Sequence, residues 1–497
     1  MSITKSLLLG SAAVLATVVG AQAADLPSKK AAPATYVKIC DAYGAGFYTI
    51  PGTDTCVKLG GYVRSEYQYT PAQKTNNYNG SSASDNKKDF TGVVSQSADM
   101  QSTTGFEVRG RIDVDARTPT AMGAARTFVR LRLTNSSGIR NASGVNSYGY
   151  VQQDKSAAVL TGTGATAPAA NAFLTGSGPT IESAMVQWAG FTFGVGPENY
   201  ALMPVFMYSA NPWTGFPNGM KQIAYTATLG GGLSATIALE DMQDQNMAQV
   251  ALSQPSTAAE LVANVRLDQA WGFAAIHGML GNNSVVKNST TSAADATTGF
   301  AKITAPDFQV GQRTFSNWAI GATVSYKLPM IAAGDQVWFN VNYAHGMIGA
   351  LGGVGPLNVS MSTAAQHRFL GGIVRVDSNL VPTDGAGNLG TTNGWNVGAA
   401  FTHYWTAQLR SNFSAGYIEI NPPTSTLVWW GKGQLSEIAG SLIYSPAKDL
   451  DIGLELQYAN MKNKLQNAST TNNWAVAGSP GLSVNSWTSK LRIERTF

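Results

Sequence analysis

The chain has 497 residues and a formal charge of +4, with 33 Lys and Arg against 29 Asp and Glu. So slight an excess argues against nucleic acid or an anionic surface as a partner. Only 12% of residues are charged, against roughly 25% in soluble domains, yet mean hydropathy is near zero because Ser, Thr, Asn, Gln and Gly replace the charges. The 53 Gly and 11 Trp suit many turns and interfacial aromatic girdles.

At the N-terminus, Lys5, an apolar run from Leu7 to Val19 and the small-residue site Ala21-Gln22-Ala23 form the pattern of a secretory signal, 1–23, cleaved before Ala24. The run is too short to span a bilayer of about 30 Å. The mature chain then carries +3, and nothing in it reads as a membrane-spanning helix, so a membrane location requires strands closed into a barrel. Segment 24–56 holds both cysteines, Cys40 and Cys56. In an oxidising compartment they are expected to form a structural disulfide that clips Asp41 to Thr55 before the first strand. Two thiols with no nearby histidine do not make a metal site.

From 57 to 497 a period-two pattern predicts sixteen strands: 57–69, 105–116, 125–135, 180–188, 191–196, 222–229, 233–241, 260–268, 271–279, 316–328, 335–344, 394–405, 406–417, 433–445, 450–461 and 486–497. In 450–461, Leu450, Ile452, Leu454, Leu456 and Tyr458 face away from Asp451, Glu455 and Gln457. Segment 271–279 alternates least, being apolar on both faces. The last strand sets Trp487, Leu491, Ile493 and the terminal Phe497 against Lys490, Arg492 and Glu494, which calls for lipid outside and water inside.

Connections alternate between short ones, such as Ala189-Gly190, Gly230 to Gly232 and Pro446 to Asp449, and long ones rich in Ser, Thr, Asn and Gly. An even strand count puts both ends of the barrel on the periplasmic side and every long loop outside. A soluble sandwich would have short connections throughout, and a β-helix a fixed short repeat; neither is present. The predicted class is all-β, a 16-stranded antiparallel transmembrane β-barrel.

On 105–116 and 125–135, the parity that turns Val108, Ile112, Val114, Val129, Leu131 and Leu133 to lipid turns Arg109, Arg111, Arg126, Arg130 and Arg132 to the lumen, with Asp113 and Asp115 on the same face. A turn centred near Thr120 and Ala121 sets Arg111 across from Arg130 and Arg109 from Arg132. Such like-charge pairs need water or carboxylates beside them. Lys58, Arg64, Lys490 and Arg492 extend the basic wall, and Glu66 and Glu107 offset part of it. No catalytic constellation is legible: His277, His345, His367 and His403 lack metal-ligand spacing, and the cluster Gly349 to Gly355 reads as a flexible external loop.

The stretch Tyr36 to Tyr69, YVKICDAYGAGFYTIPGTDTCVKLGGYVRSEYQY, resembles the N-terminal signature of the alphaproteobacterial general porins, the rhizobial and Brucella-type outer-membrane porins. Ile181 to Gly196, IESAMVQWAGFTFGVG, is similar to that family's hairpin before the constriction loop, and the C-terminal Phe fits as well. The resemblance implies a sixteen-stranded barrel with an inward-folded third loop. It also implies a homotrimer among outer-membrane lipid and lipopolysaccharide, without cofactors, passing small hydrophilic solutes and ions by passive diffusion. The third loop would be Pro197 to Lys221, facing the arginines. It departs from the family pattern in holding a single carboxylate, Glu198, among the aromatics Tyr200, Phe206, Tyr208, Trp213 and Phe216. At most weak cation selectivity is therefore expected. The aromatics either stack on sugars or pin the loop to the wall.

Overall fold

The computed structural model describes residues 38–71, 73–76, 99–100, 103–137, 175–204, 207–208, 219–241, 253–254, 259–285, 313–351, 380–382, 389–424, 430–465 and 482–497. The predicted signal segment lies outside them. The barrel strands are β1 (Cys56–Thr70), β2 (Thr103–Thr120), β3 (Gly123–Ser136), β4 (Thr175–Trp188), β5 (Phe191–Gly196), β6 (Met220–Gly230), β7 (Leu233–Asp241) and β8 (Glu260–Gln269). They continue with β9 (Gly272–Val285), β10 (Arg313–Lys327), β11 (Gln336–His345), β12 (Asn393–Tyr404), β13 (Leu409–Asn421), β14 (Trp430–Ala447), β15 (Leu450–Leu465) and β16 (Leu482–Thr496). Each pairs antiparallel with the next, and β16 closes on β1 in a register running from Tyr62 opposite Thr496 to Tyr69 opposite Ser489. Closure removes the sheet edge, so every strand finds partners without water. All sixteen predicted segments are strands of this barrel.

Apolar side chains point outward along every strand, as Leu59 and Val63 of β1, Ile320 of β10 and Leu454 of β15 illustrate. Aromatics bound this band. Trp395 and Trp405 are both exposed and stand ten residues apart, which at about 3.3 Å per residue and a tilt of about 45° is about 23 Å, close to the apolar height of an outer-membrane barrel. The poor alternation of β9 has a physical cause. Ile276 and Leu280 face out at 65% and 58% exposure, whereas on the lumen face Met279 is buried in an apolar cluster and Phe273 lies buried beside Arg266 and Trp338.

Short turns cluster at one end. At Ala189-Gly190 both residues take positive φ, 51° and 86°, the geometry of a type I′ hairpin. The β2–β3 turn corrects the sequence register. Thr120 pairs with Gly123, so the tip is Ala121-Met122, and the Thr120 hydroxyl donates to the Gly123 carbonyl at 2.5 Å. With the tip one position later, Arg111 lies opposite Arg132, and Arg130 opposite Asp113.

The disulfide Cys40–Cys56 is formed, with a Cα–Cα distance of 6.0 Å. Cys56 is itself the first residue of β1, so the clip ties segment 38–55 directly to the barrel wall. Phe47 is buried against the two half-cystines, while Arg117 of β2 lies 4.9 Å from its ring. Arg117 shares the lumen face with Asp113 and Asp115, so the clipped segment packs onto the inside of the wall at the short-turn end.

Candidate functional site

The interior is organised by the third long connection, which leaves β5 at Gly196 and enters the lumen. Its root is fixed by amide side chains and one carboxylate. Asn199 donates through its backbone N–H to Glu240 Oε1 at 2.9 Å and through Nδ2 to Gln222 Oε1 at 2.7 Å. Its carbonyl accepts from Asn264 Nδ2 at 2.9 Å. Gln222, Glu240 and Asn264 lie on β6, β7 and β8.

Nine residues further on, the same loop touches the opposite side of the barrel. The Tyr208 N–H donates to Glu455 Oε2 of β15 at 2.5 Å. Its carbonyl accepts from Lys490 Nζ at 3.2 Å and Arg492 Nη2 at 3.1 Å, both on β16. The Arg492 guanidinium covers the Tyr208 ring at 3.9 Å and also reaches Glu66 Oε2 at 2.5 Å. The loop therefore crosses the lumen from β6–β8 to β15–β16. Burial pushes the Tyr208 hydroxyl up to about 12 and raises Tyr200 as well, so both phenols remain neutral.

Lys490 and Arg492 correct the sequence reading: instead of extending a solvated basic wall, they are consumed in holding this loop. Glu198 is buried at the loop's root, 7% exposed. Tyr200 is 1% exposed and meets His277 edge-on at 4.6 Å, so it and Tyr208 act as anchors. Phe206, Trp213 and Phe216 lie outside the described residues.

On one side of this bridge, β1 to β3 carry the arginines on the lumen face, and β4 adds the carboxylate Glu182. Arg130 grips Asp113 through Nε and Nη2, both at 2.9 Å, and Arg111 approaches the same carboxylate at 3.3 Å. Arg126 holds Asp115 with two bonds of 3.0 Å and donates to Gln187 at 2.8 Å. Arg117 makes a second fork on Asp115 at 3.1 and 2.9 Å. Arg64 pairs with Glu494 at 2.6 Å, Arg109 with Glu107 at 2.9 Å and Arg132 with Glu182 at 2.8 Å.

Aromatic spacers stiffen the ladder. Arg64 and Arg111 lie 4.7 and 4.4 Å from the Tyr62 ring, and Arg126 and Arg130 lie 4.9 and 5.2 Å from that of Phe128. Each such stack contributes about 0.5–2 kcal/mol. Seven arginines share five carboxylates here, because Asp113 and Asp115 each serve two. The wall keeps a positive excess, and its arginine side chains remain 16–34% exposed.

Sequence reasoning missed four members of this group, the first being Arg117, which lies one residue past the predicted segment 105–116. Glu182 has the lipid-side parity of its strand, but irregularities at Arg130/Leu131 and Arg132/Thr134 in the β3–β4 register turn it inward. Tyr62 and Phe128 were legible in principle, since both share the parity of the arginines they separate.

A closed antiparallel barrel with an apolar outer band, charged lumen walls and a loop folded across its interior defines an outer-membrane diffusion channel. A family model described as "Porin subfamily" matches residues 25–481, and the chain belongs to that family. Porin Omp2b of Brucella canis is 28% identical over 360 residues, covering 69% of this chain and 84% of that protein. Porin Omp2b of Brucella melitensis is 27% identical over 365 residues with the same coverage. Among solved structures, the outer membrane channel DcaP of Acinetobacter baumannii superposes with a TM-score of 0.55 at 15% identity, over 89% of this chain and 97% of its own; that likeness concerns the fold. The protein is an outer-membrane porin that provides a channel for passive diffusion, and as a porin it is a channel rather than an enzyme.

Proposed function

We propose that this porin is a general diffusion pore whose narrow passage runs between the third loop and the wall formed by Arg64, Arg109, Arg111, Arg126, Arg130 and Arg132. Asp113 and Asp115 moderate its charge. One observation carries this reading: the half-buried arginines outnumber the carboxylates that pair with them, and the only loop carboxylate in the described stretch, Glu198, is buried. Field lines focused between low-dielectric walls then favour small anions mildly over cations. The short-turn end faces the periplasm, where a signal segment at 1–23 would have delivered the chain, and the long loops face outward.

The sugar-selective alternative has little support from Tyr200 and Tyr208, whose rings are taken up by His277 and Arg492. A homotrimer completes the reading. The outer faces of β1 and β16, with Leu59, Val63, Leu491 and Ile493 exposed, are apolar enough to pack against a second copy. Liposome swelling tests the proposal with neutral, anionic and cationic solutes of matched size. Flux should rise linearly with concentration and be faster for the anion, and crosslinking in native membranes should give a trimeric mass. Saturation by one sugar would favour the selective channel, and no swelling a structural barrel.

A further inference from the structure

Part of the lumen face turned away from the arginines is packed with apolar side chains, set among buried polar ones such as Asn264, His277, Asn317 and Asn342. Val262, Met279, Ala319, Ala344, Ile418 and Leu435 occupy lumen-facing positions on β8, β9, β10, β11, β13 and β14, yet each is at most 4% exposed and belongs to one apolar cluster. A water-filled interior calls for polar side chains at such positions. Two pieces of chain supply the apolar partners. One is the third loop near Tyr200; the other is the start of the sixth long connection, the short 3-10 turn Ile348–Leu351 just beyond β11.

This second element is built in rather than draped over the mouth. Gly346 takes φ 67°, which a side-chain-bearing residue rarely adopts, and turns the chain back into the barrel immediately after His345. Its N–H donates to the Thr392 carbonyl at 2.8 Å. Asn342 Nδ2 donates to Asn396 Oδ1 at 2.8 Å, and Asn396 Nδ2 donates in turn to the Leu351 carbonyl. Strand glycines receive the apolar side chains. A Cβ at Gly281 would lie 2.7 Å from Met347 Cε, and one at Gly394 would lie 2.6 Å from Leu351 Cδ1. Glycine inside a strand is unfavourable unless something approaches closely; here the turn comes nearest, with Glu260 Cγ next at Gly281 (2.8 Å) and the Glu419 carbonyl next at Gly394 (2.9 Å). Gly349, read from sequence as part of a flexible external loop, is buried within it.

We propose that residues 346–351 form a second inward gate element which, together with the root of the third loop, seals the lumen against β8–β14 and confines solutes to the arginine side. The inference rests on the porin reading and adds the route within the pore. Ile348 and Leu351 thereby become determinants of pore size, though they lie across the barrel from the charged ladder.

Cysteine accessibility in the full-length channel tests it, since Cys40 and Cys56 are already joined. Ala319→Cys and Ala344→Cys replace small dry-wall residues, and Arg132→Cys reports the wet wall. Under an anionic, membrane-impermeant thiol reagent, the current of Arg132→Cys should change within seconds, and the two dry-wall variants should react at least about a hundredfold more slowly, as buried thiols do. Combining Ala344→Cys with Leu351→Asn, which unseats the turn, should raise conductance and make the cysteine reactive. Modification of Ala319→Cys or Ala344→Cys as fast as Arg132→Cys in the intact pore would overturn the proposal. Absence of current in the parent protein as well would instead remove the channel reading beneath it.

Discussion

Replacing Arg111 and Arg132 together by Gln will move the reversal potential toward cations. The two lie directly opposite one another on β2 and β3, and removing both leaves five arginines on the five carboxylates of the wall. A unit charge about 8 Å from a passing ion is worth about 0.5 kcal/mol in water. Two such charges therefore bias permeability several-fold in dilute electrolyte and about twofold at physiological salt, where screening acts over about 8 Å. The control is charge-neutral: Arg130→Gln with Asp113→Asn removes a matched pair joined by two 2.9 Å bonds and should leave the potential nearly unchanged. Bilayer measurements in a salt gradient decide the point; equal shifts from both double variants would deny the wall its role.

The largest expected change in conductance comes from releasing the third loop. Glu455 holds the Tyr208 N–H, and Arg492, with Lys490 as a second donor, holds its carbonyl. Removing Arg492 alone would leave Glu66, 1% exposed, short of one partner, and a broken buried pair costs about 3–5 kcal/mol. Glu455→Gln with Arg492→Met removes one charge of each sign and leaves Lys490 beside Glu66 at 3.9 Å, so the barrel should still assemble. Conductance should rise roughly twofold and fluctuate as the loop leaves the lumen, because passage depends on the open width. Unaltered single-channel conductance, with heat-modifiable mobility showing a folded barrel, would mean that the loop is held elsewhere.

Sheet identity and facing were written in the chain because a barrel between lipid and water imposes period two on every strand. Lys490 and Leu491 announce their sides without any tertiary information. Register was harder to read. The β2–β3 pairing depends on which residues form the turn, and a tip one position later exchanges an Arg111–Arg130 pairing for Arg130 on Asp113. Glu182 escaped for a related reason, since parity arguments stop at a bulge. What fills the lumen was least legible. Lys490 and Arg492 look like solvated cations until Tyr208 arrives from 282 and 284 residues away, and the glycines before Leu351 resemble a loop until their burial is seen.

The single-channel current of the purified protein in a planar bilayer, taken in dilute potassium chloride and then across a gradient of that salt, tests the central claim most directly. The account predicts steady ohmic openings with a reversal potential displaced modestly toward that of chloride, the displacement fading as salt is raised. Absence of current would contradict an open pore, and strong cation selectivity would contradict a passage governed by the arginine wall.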